Sequence, residues 1–160
     1  MFHFGTNHLK TNMNVLSLFD GMSCGQIALR ELGIKVNKYF ASEIDKYAIA
    51  QTQLNFPDTI QLGNVKDVRA KDLPKIDLLL GGSPCQGFSL AGRQLNFNDP
   101  RSALFFEFVR ILKEIRGINP DVIFLLENVR MKREYQDIIS AQLGLRPVLI
   151  NSARVSAQNR

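Results

Sequence analysis

A cysteine stands just beyond a short apolar run near the middle of the chain. The run, residues 76–80, ends in two glycines, and Pro84 and Cys85 follow. A short run bounded by breakers is typical of a buried parallel strand, and open α/β sheets bind ligands beyond the carboxyl ends of their strands. A thiol at that place is a candidate nucleophile. Free cysteine is also a common core residue, so this stretch alone leaves both interpretations open.

A glycine-containing turn near the N-terminus is the second candidate for chemistry. Residues 20–25 read Asp-Gly-Met-Ser-Cys-Gly and separate a strand pattern from a helix pattern. Strand, glycine turn and helix form an arrangement that binds phosphates and nucleotides. The glycine spacing matches neither a GxGxxG fingerprint nor a P-loop, and many such turns carry glycine only for geometry.

Glu43 ends the next predicted strand, about twenty residues beyond the turn, where an acid commonly binds the hydroxyls of a cofactor ribose. The alternative is an acid in the first turn of the following helix. The turn and the acid together favour cofactor binding. Glu127 likewise follows a buried run, residues 121–126, and it is predicted to share one sheet edge with Cys85, because carboxyl ends of parallel strands meet there.

The elements that must position these residues alternate along the chain. Strands are predicted at 14–19, 38–42, 59–62, 76–80, 121–126 and 146–150, and helices at 26–32, 46–55, 102–116 and 133–143. Alternation of this kind predicts an α/β fold with a mainly parallel sheet and helices on both faces. Residues 87–101 lack a clear period, and a loop this long is uncommon unless functional or mobile. We expect one domain over residues 13–160, preceded by a poorly ordered extension, residues 1–12.

Composition narrows the class of protein. The 160 residues carry a net charge of +5, which permits a polyanionic partner, although solvated helix faces explain the charge equally well. Cys24 and Cys85 lack CxxC spacing, and His3 and His8 have no Cys/His cluster around them, so we expect no metal and a reducing, cytoplasmic setting, or wherever DNA is. No apolar stretch is long enough for a membrane span, and no signal core is present, so secretion is not expected.

Four motifs, taken in chain order, carry a resemblance to a known family. They are the turn at residues 19–25, Pro84-Cys85-Gln86, Glu127-Asn128-Val129 and Gln158-Asn159-Arg160. Together they closely resemble the cytosine-C5 DNA methyltransferases, which use S-adenosylmethionine. The resemblance covers residues 13–160 and implies a Rossmann-like methyltransferase fold, incomplete at the C-terminus.

The resemblance also implies a cofactor site. Its residues would hold the amino-acid end, the ribose and the adenine of S-adenosylmethionine: Phe19, Asp20, Gly21, Ser23, Cys24, Gly25, Glu43, Ile44, Asn64, Val65, Pro84 and Leu104. Glu43 would bind the ribose hydroxyls, and Ile44 would lie against the adenine. Asn64 stands where the family usually has an aspartate that accepts from the adenine amino group, but an amide oxygen can accept as well.

The resemblance implies covalent catalysis on double-stranded DNA. The Cys85 thiolate would add to C6 of cytosine, and Glu127 would hold or protonate N3. The cytosine must be flipped out of the stack to be reached. Asn128 would brace the Glu127 turn, while Gln158 and Arg160 would contact the base and the backbone near it.

One departure from the family concerns the end of the sequence. The family continues to a second arginine, a target-recognition domain and a last helix near the cofactor. We therefore expect a truncated chain, a fragment, or half of a split enzyme that binds cofactor but needs a companion chain. A nucleotide-dependent oxidoreductase is disfavoured, because the glycine fingerprint is wrong and the Cys, Glu and Arg set would have no use.

Overall fold

The computed structural model describes residues 12–82, 103–151 and 153. The elements, in chain order, are β1 (Met13–Leu18), α1 (Cys24–Glu31), β2 (Val36–Ser42), α2 (Lys46–Asn55), β3 (Ile60–Gln61), two short 3-10 turns (Val65–Asp67 and Ala70–Asp72), β4 (Leu78–Gly82), α3 (Ala103–Ile118), β5 (Ile123–Glu127) and α4 (Arg133–Leu143).

The five strands form one parallel sheet in the order β3-β2-β1-β4-β5. Strands β1, β2 and β3 follow one another toward one edge of the sheet. β4 then pairs with the other side of β1, and β5 follows it toward the opposite edge. The order therefore reverses between β1 and β4, and ligands of open α/β sheets bind at such a reversal, beyond the carboxyl ends of the strands. The prediction of an α/β fold with a parallel sheet is confirmed.

Two apolar cores lie on opposite faces of the sheet. Neighbouring residues of β1 point to opposite sides, and Leu16 belongs to the core that includes α3, whereas Val15 belongs to the core that includes Leu29 of α1. Both β1 residues are 0% exposed. Helices therefore cover both faces, as the sequence predicts.

Gly81 permits the closest contact between α3 and the sheet. An added Cβ at Gly81 would lie 2.7 Å from two ring carbons of Phe108. Because Phe108 is fully buried, its ring has little room to move away. The first glycine of the pair thus lets a large aromatic side chain pack directly on the backbone of β4, and the two glycines belong to the strand instead of ending it.

The predicted strand at residues 146–150 is wrong. These residues form no strand, and Val148, Leu149 and Ile150 are 82%, 73% and 78% exposed. β5 pairs with β4 and with no other strand among the described residues. An apolar sequence becomes a strand only when hydrogen-bonding and packing neighbours are available, and this segment has neither.

Residues 1–11, which include most of the predicted extension, lie outside the described residues. Within the part that is described, no helix is both long and apolar enough to cross a membrane. The same residues contain no group of three or more His, Cys, Asp or Glu side chains placed to hold a metal ion.

Candidate active site

The turn between β1 and α1 has an unusual backbone. Phe19, Gly21 and Ser23 have φ values of 57°, 58° and 58°. This region suits glycine but costs the other two residues about 1–3 kcal/mol each. An added Cβ at Gly21 would meet no heavy atom within 4 Å, so open space borders the turn. Backbone strain of this kind is concentrated at ligand sites.

Glu43 is bound directly to that turn. Its Oε2 accepts the backbone N–H of Gly21 at 2.8 Å. Its Oε1 accepts the N–H groups of Ile44 and Asp45 at 2.7 and 2.9 Å. The turn and the acid, which the sequence separates by 22 positions, are therefore one unit. Each carboxylate oxygen has two lone pairs, so Oε2 retains one for a ligand hydroxyl.

Asp20 is held by side chains from two elements. The Tyr39 hydroxyl of β2 donates to Oδ1 at 2.8 Å, and the Ser23 hydroxyl donates to Oδ2. Burial, and next the charge of Asp20, raise the pKa of Tyr39. The phenol therefore remains a hydrogen-bond donor.

Thr52 of α2 also forms hydrogen bonds with this turn. Its hydroxyl oxygen lies 3.3 Å from both the carbonyl oxygen of Gly21 and Oγ of Ser23, and the residue is fully buried. Sequence reasoning missed both Thr52 and Tyr39. Nothing in the sequence around either residue reveals its hydrogen-bond partner.

The predicted adenine side lies beside Glu43. The Ser42 hydroxyl donates to the carbonyl of Gly63 at 2.8 Å and so joins the end of β2 to the segment carrying Asn64. Asn64 caps the first 3-10 turn, with Oδ1 accepting the N–H of Lys66 at 3.0 Å. Ile44 is 74% exposed.

Val65 and Leu104, two further predicted cofactor residues, contribute to the core. Val65 is 5% exposed, and Leu104, near the start of α3, is partly buried against the same cluster. The side chain of Val65 therefore supports the site from within, and any contact of this residue with a ligand would come from its backbone.

A charged group on α3 fixes the two 3-10 turns. The Arg110 guanidinium donates to the carbonyl oxygens of Val65 and Val68 at 3.3 and 3.0 Å, and it binds Glu114 at 2.6 Å. Glu114 also accepts the N–H of Ala70 at 2.9 Å. Burial alone would raise the pKa of Glu114, but the Ala70 N–H and Arg110 outweigh it and lower that pKa below 4.5.

The predicted catalytic carboxylate lies where β4 and β5 end. Gly82 and Glu127 are paired across the two strands, and an added Cβ at Gly82 would lie 3.6 Å from Oε2 of Glu127. The next residue, Asn128, accepts the N–H of Val129 at 2.8 Å through Oδ1. Glu127 and the end of the strand leading to Cys85 are therefore neighbours.

Four of the predicted site residues lie outside the described residues: Pro84, Cys85, Gln158 and Arg160. Cys24, the other cysteine, is the first residue of α1 and is exposed. Gly25 follows it, and an added Cβ there would lie 2.9 Å from Leu80 and 3.0 Å from the Tyr39 hydroxyl. A larger residue at that position would displace the Leu80 or Tyr39 side chain, because the first turn of α1 passes close to the sheet.

Curated relatives include methyltransferases of bacteria and their phages. The chain is 41% identical over 120 residues to "Orphan methyltransferase M.SPRI" of Bacillus phage SPR. This match covers 74% of this chain and 26% of that protein. The chain is 42% identical over 124 residues to "Type II methyltransferase M1.ScrFI" of Lactococcus lactis subsp. cremoris, covering 78% and 30%. The chain thus spans between a quarter and a third of the length of these relatives.

Solved structures with the same fold include two DNMT2 proteins. A mutant of Spodoptera frugiperda DNMT2 has a TM-score of 0.64 at 26% identity, covering 83% of this chain and 41% of that one. S. pombe Dnmt2 methyltransferase has a TM-score of 0.62 at 22% identity, covering 83% and 40%. The family model described as C-5 cytosine-specific DNA methylase matches residues 13–137. The chain belongs to the C-5 cytosine-specific DNA methylase family.

Proposed function

We propose that this chain contains the cofactor site and the catalytic residues of a DNA (cytosine-5-)-methyltransferase that uses S-adenosylmethionine. One observation carries the proposal. A single sheet edge has Glu43 bound to the turn at Gly21 on one side, and Glu127 beside the last residue of β4 on the other. Two carboxylates with different neighbours at one edge of the sheet suit a site that binds a cofactor and a nucleobase together.

The residues present fit S-adenosylmethionine. Glu43 retains an acceptor position for a ribose hydroxyl, and Gly21 borders open space. Asn64 and Ile44 lie on the adenine side, and Asp20 supplies a carboxylate for the amino-acid end. The cofactor, when bound, supplies an electrophilic methyl group.

The chain's own residues prepare the cytosine. The Cys85 thiolate forms a bond to C6, and the electron pair of the C5–C6 bond becomes available at C5. Glu127 holds or protonates N3, so the charge that develops on the ring is stabilised. C5 takes the methyl group, and the electron pair of the broken sulfur–methyl bond stays on the cofactor's sulfur as a neutral thioether. Solvent water takes the C5 proton, and a proton placed on N3 returns to Glu127. The bond between the Cys85 sulfur and C6 then breaks, which restores the C5–C6 double bond and the free thiolate.

Double-stranded DNA is the proposed substrate, with the target cytosine turned out of the stack. Gln158 and Arg160 would contact the base and the nearby backbone. The net charge of +5 is favourable for a polyanion.

A specific observation also favours a companion chain. Phe124 and Leu126 of β5 pack on the core that includes α3, but Ile123 and Leu125, on the other face, are 54% and 59% exposed. Residues 148–150 add further exposed apolar surface. We infer that a companion polypeptide covers this surface, and that methylation by the chain alone is weak.

A covalent trap tests the chemistry. DNA containing 5-fluorocytosine has no C5 proton to lose, so an active enzyme should stay bonded to it. The chain is incubated with this DNA and S-adenosylmethionine, with and without a C-terminal segment of an M.SPRI-type relative as companion. The adduct should form with wild type and Cys24→Ser and be absent with Cys85→Ser.

Each outcome of the trap has a defined meaning. An adduct with Cys85→Ser but none with Cys24→Ser would reverse the assignment of the nucleophile. Equal yields with and without the companion would contradict the companion-chain inference while leaving the chemistry intact. No adduct under any condition would contradict the proposed enzyme activity.

A further inference from the structure

The buried residue Tyr39 donates a hydrogen bond to the carboxylate of Asp20, in the turn between β1 and α1. Tyr39 is 3% exposed, and its hydroxyl donates to Oδ1 of Asp20 at 2.8 Å. Ser23 donates to the other oxygen, Oδ2, and the backbone N–H of Asp20 binds the carbonyl of Ser42 at 3.2 Å. The carboxylate is therefore held by donors from the strand and from the turn, and each oxygen keeps a lone pair.

The position of the phenol is itself fixed. The hydroxyl oxygen of Tyr39 would lie only 3.0 Å from a Cβ added at Gly25, so the first turn of α1 packs against it. Burial raises the pKa of Tyr39, and the negative charge of Asp20 raises it further. A neutral phenol in a fixed place is a permanent donor, and it does not compete with Asp20 for a cation.

The two carboxylates near the turn differ in the hydrogen bonds that they already accept. Glu43 already accepts three backbone N–H groups, whereas Asp20 accepts two hydroxyls and is partly exposed. An ammonium group needs anionic acceptors in a fixed place, because a charge-assisted hydrogen bond is directional. Asp20 is therefore the better partner for the amino group at the amino-acid end of the cofactor.

We propose that Tyr39 is a positioning residue for cofactor binding, which holds the Asp20 carboxylate in place to bind the α-ammonium group of S-adenosylmethionine. This inference rests on the proposed function and extends it, since it assigns one group of the ligand to one side chain. It also explains why the middle of a buried strand carries a hydroxyl.

The test compares S-adenosylhomocysteine with 5′-methylthioadenosine. Both ligands contain adenosine and a neutral thioether, but only S-adenosylhomocysteine carries the amino acid. By calorimetry on the full chain, Tyr39→Phe should weaken the binding of S-adenosylhomocysteine about tenfold, the loss of one charge-linked hydrogen bond, and leave the binding of 5′-methylthioadenosine unchanged. In an Asp20→Asn background, Tyr39→Phe should have no further effect, because the two residues act as one unit.

Tyr135→Phe is the matched control, since Tyr135 is a buried tyrosine in a separate cluster of α4, and it should alter neither affinity. Equal losses for both ligands in Tyr39→Phe, or no loss, would overturn the inference alone. If Tyr39→Phe fails to fold, Asp20→Asn must still weaken the binding of S-adenosylhomocysteine selectively, and an equal loss for both ligands overturns the inference. A wild-type chain that binds neither ligand would overturn the cofactor proposal with it.

Discussion

Gly81 is expected to tolerate no side chain, although its backbone conformation is open to any residue. A Cβ there would lie 2.7 Å from Cδ2 and Cε2 of Phe108, and ordinary contacts of this kind begin at 3.4 Å. Phe108 is fully buried and packs near Phe124, so α3 must move instead. Overpacking of this kind costs about 1–3 kcal/mol, which lowers the Tm of a domain this size by about 2–4 °C per kcal/mol.

Gly117, near the end of α3, is the matched control. An added Cβ there would meet nothing within 4 Å, and alanine has the better helix propensity by up to about 1 kcal/mol. The two Gly→Ala changes should therefore have opposite signs. Urea unfolding followed by circular dichroism measures both. A Gly81→Ala variant as stable as the wild type would refute the close packing of Phe108 on β4.

Three further predictions concern cofactor binding, the pH dependence of stability and the exposed face of β5. Glu43→Ala should weaken S-adenosylmethionine by about 1.5–3 kcal/mol, the value of a hydrogen bond to a charged group, and unchanged calorimetric affinity would remove Glu43 from the site. Glu114→Gln should reduce stability at neutral pH, and because the Ala70 N–H and Arg110 lower the pKa of Glu114, that difference should shrink as the pH falls through the acidic range in which the carboxylate becomes protonated. A difference in unfolding free energy that stays constant down to pH 3 would contradict this assignment. Exposed apolar surface favours association, so Leu125→Gln, at a residue that is 59% exposed, should reduce self-association of the isolated chain in sedimentation velocity without lowering the Tm, and unchanged sedimentation would contradict this.

Much of the fold was predictable because local pattern and tertiary structure agree. The apolar runs that became β1, β4 and β5 are short and branched, and the apolar positions of α3 recur at helical spacing. The burial predicted for the last of these runs is wrong for β5, since Ile123 and Leu125 are exposed. Such periodicity depends only on the chain's own neighbours. The strand predicted at residues 146–150 is wrong because an apolar run does not itself reveal whether the segment pairs, and within the described residues this segment pairs with no strand of the sheet.

The motifs of the candidate site could be predicted from the sequence, but the contacts that hold them in place could not. Glu43 and the turn at residues 20–25 could be paired by their separation along the chain, because the strand–turn–helix arrangement fixes where each lies. No spacing rule reveals that Tyr39 binds Asp20, or that Arg110 binds the carbonyls of a turn more than forty positions earlier. Those contacts follow from the way strands and helices pack in three dimensions.

The helix α3 joins the two halves of the site. Phe108 packs on Gly81, immediately before the last residue of the strand that leads to Cys85. Two residues later, Arg110 fixes the carbonyl of Val65, next to Asn64 on the adenine side. Because the end of β4 and the segment carrying Asn64 contact neighbouring residues of one helix, a displacement of that helix would move both. In the proposed enzyme, the spacing between the Cys85 thiol and the cofactor would therefore depend on α3 as well as on the sheet, and a side chain that touches neither ligand could still change the distance for methyl transfer.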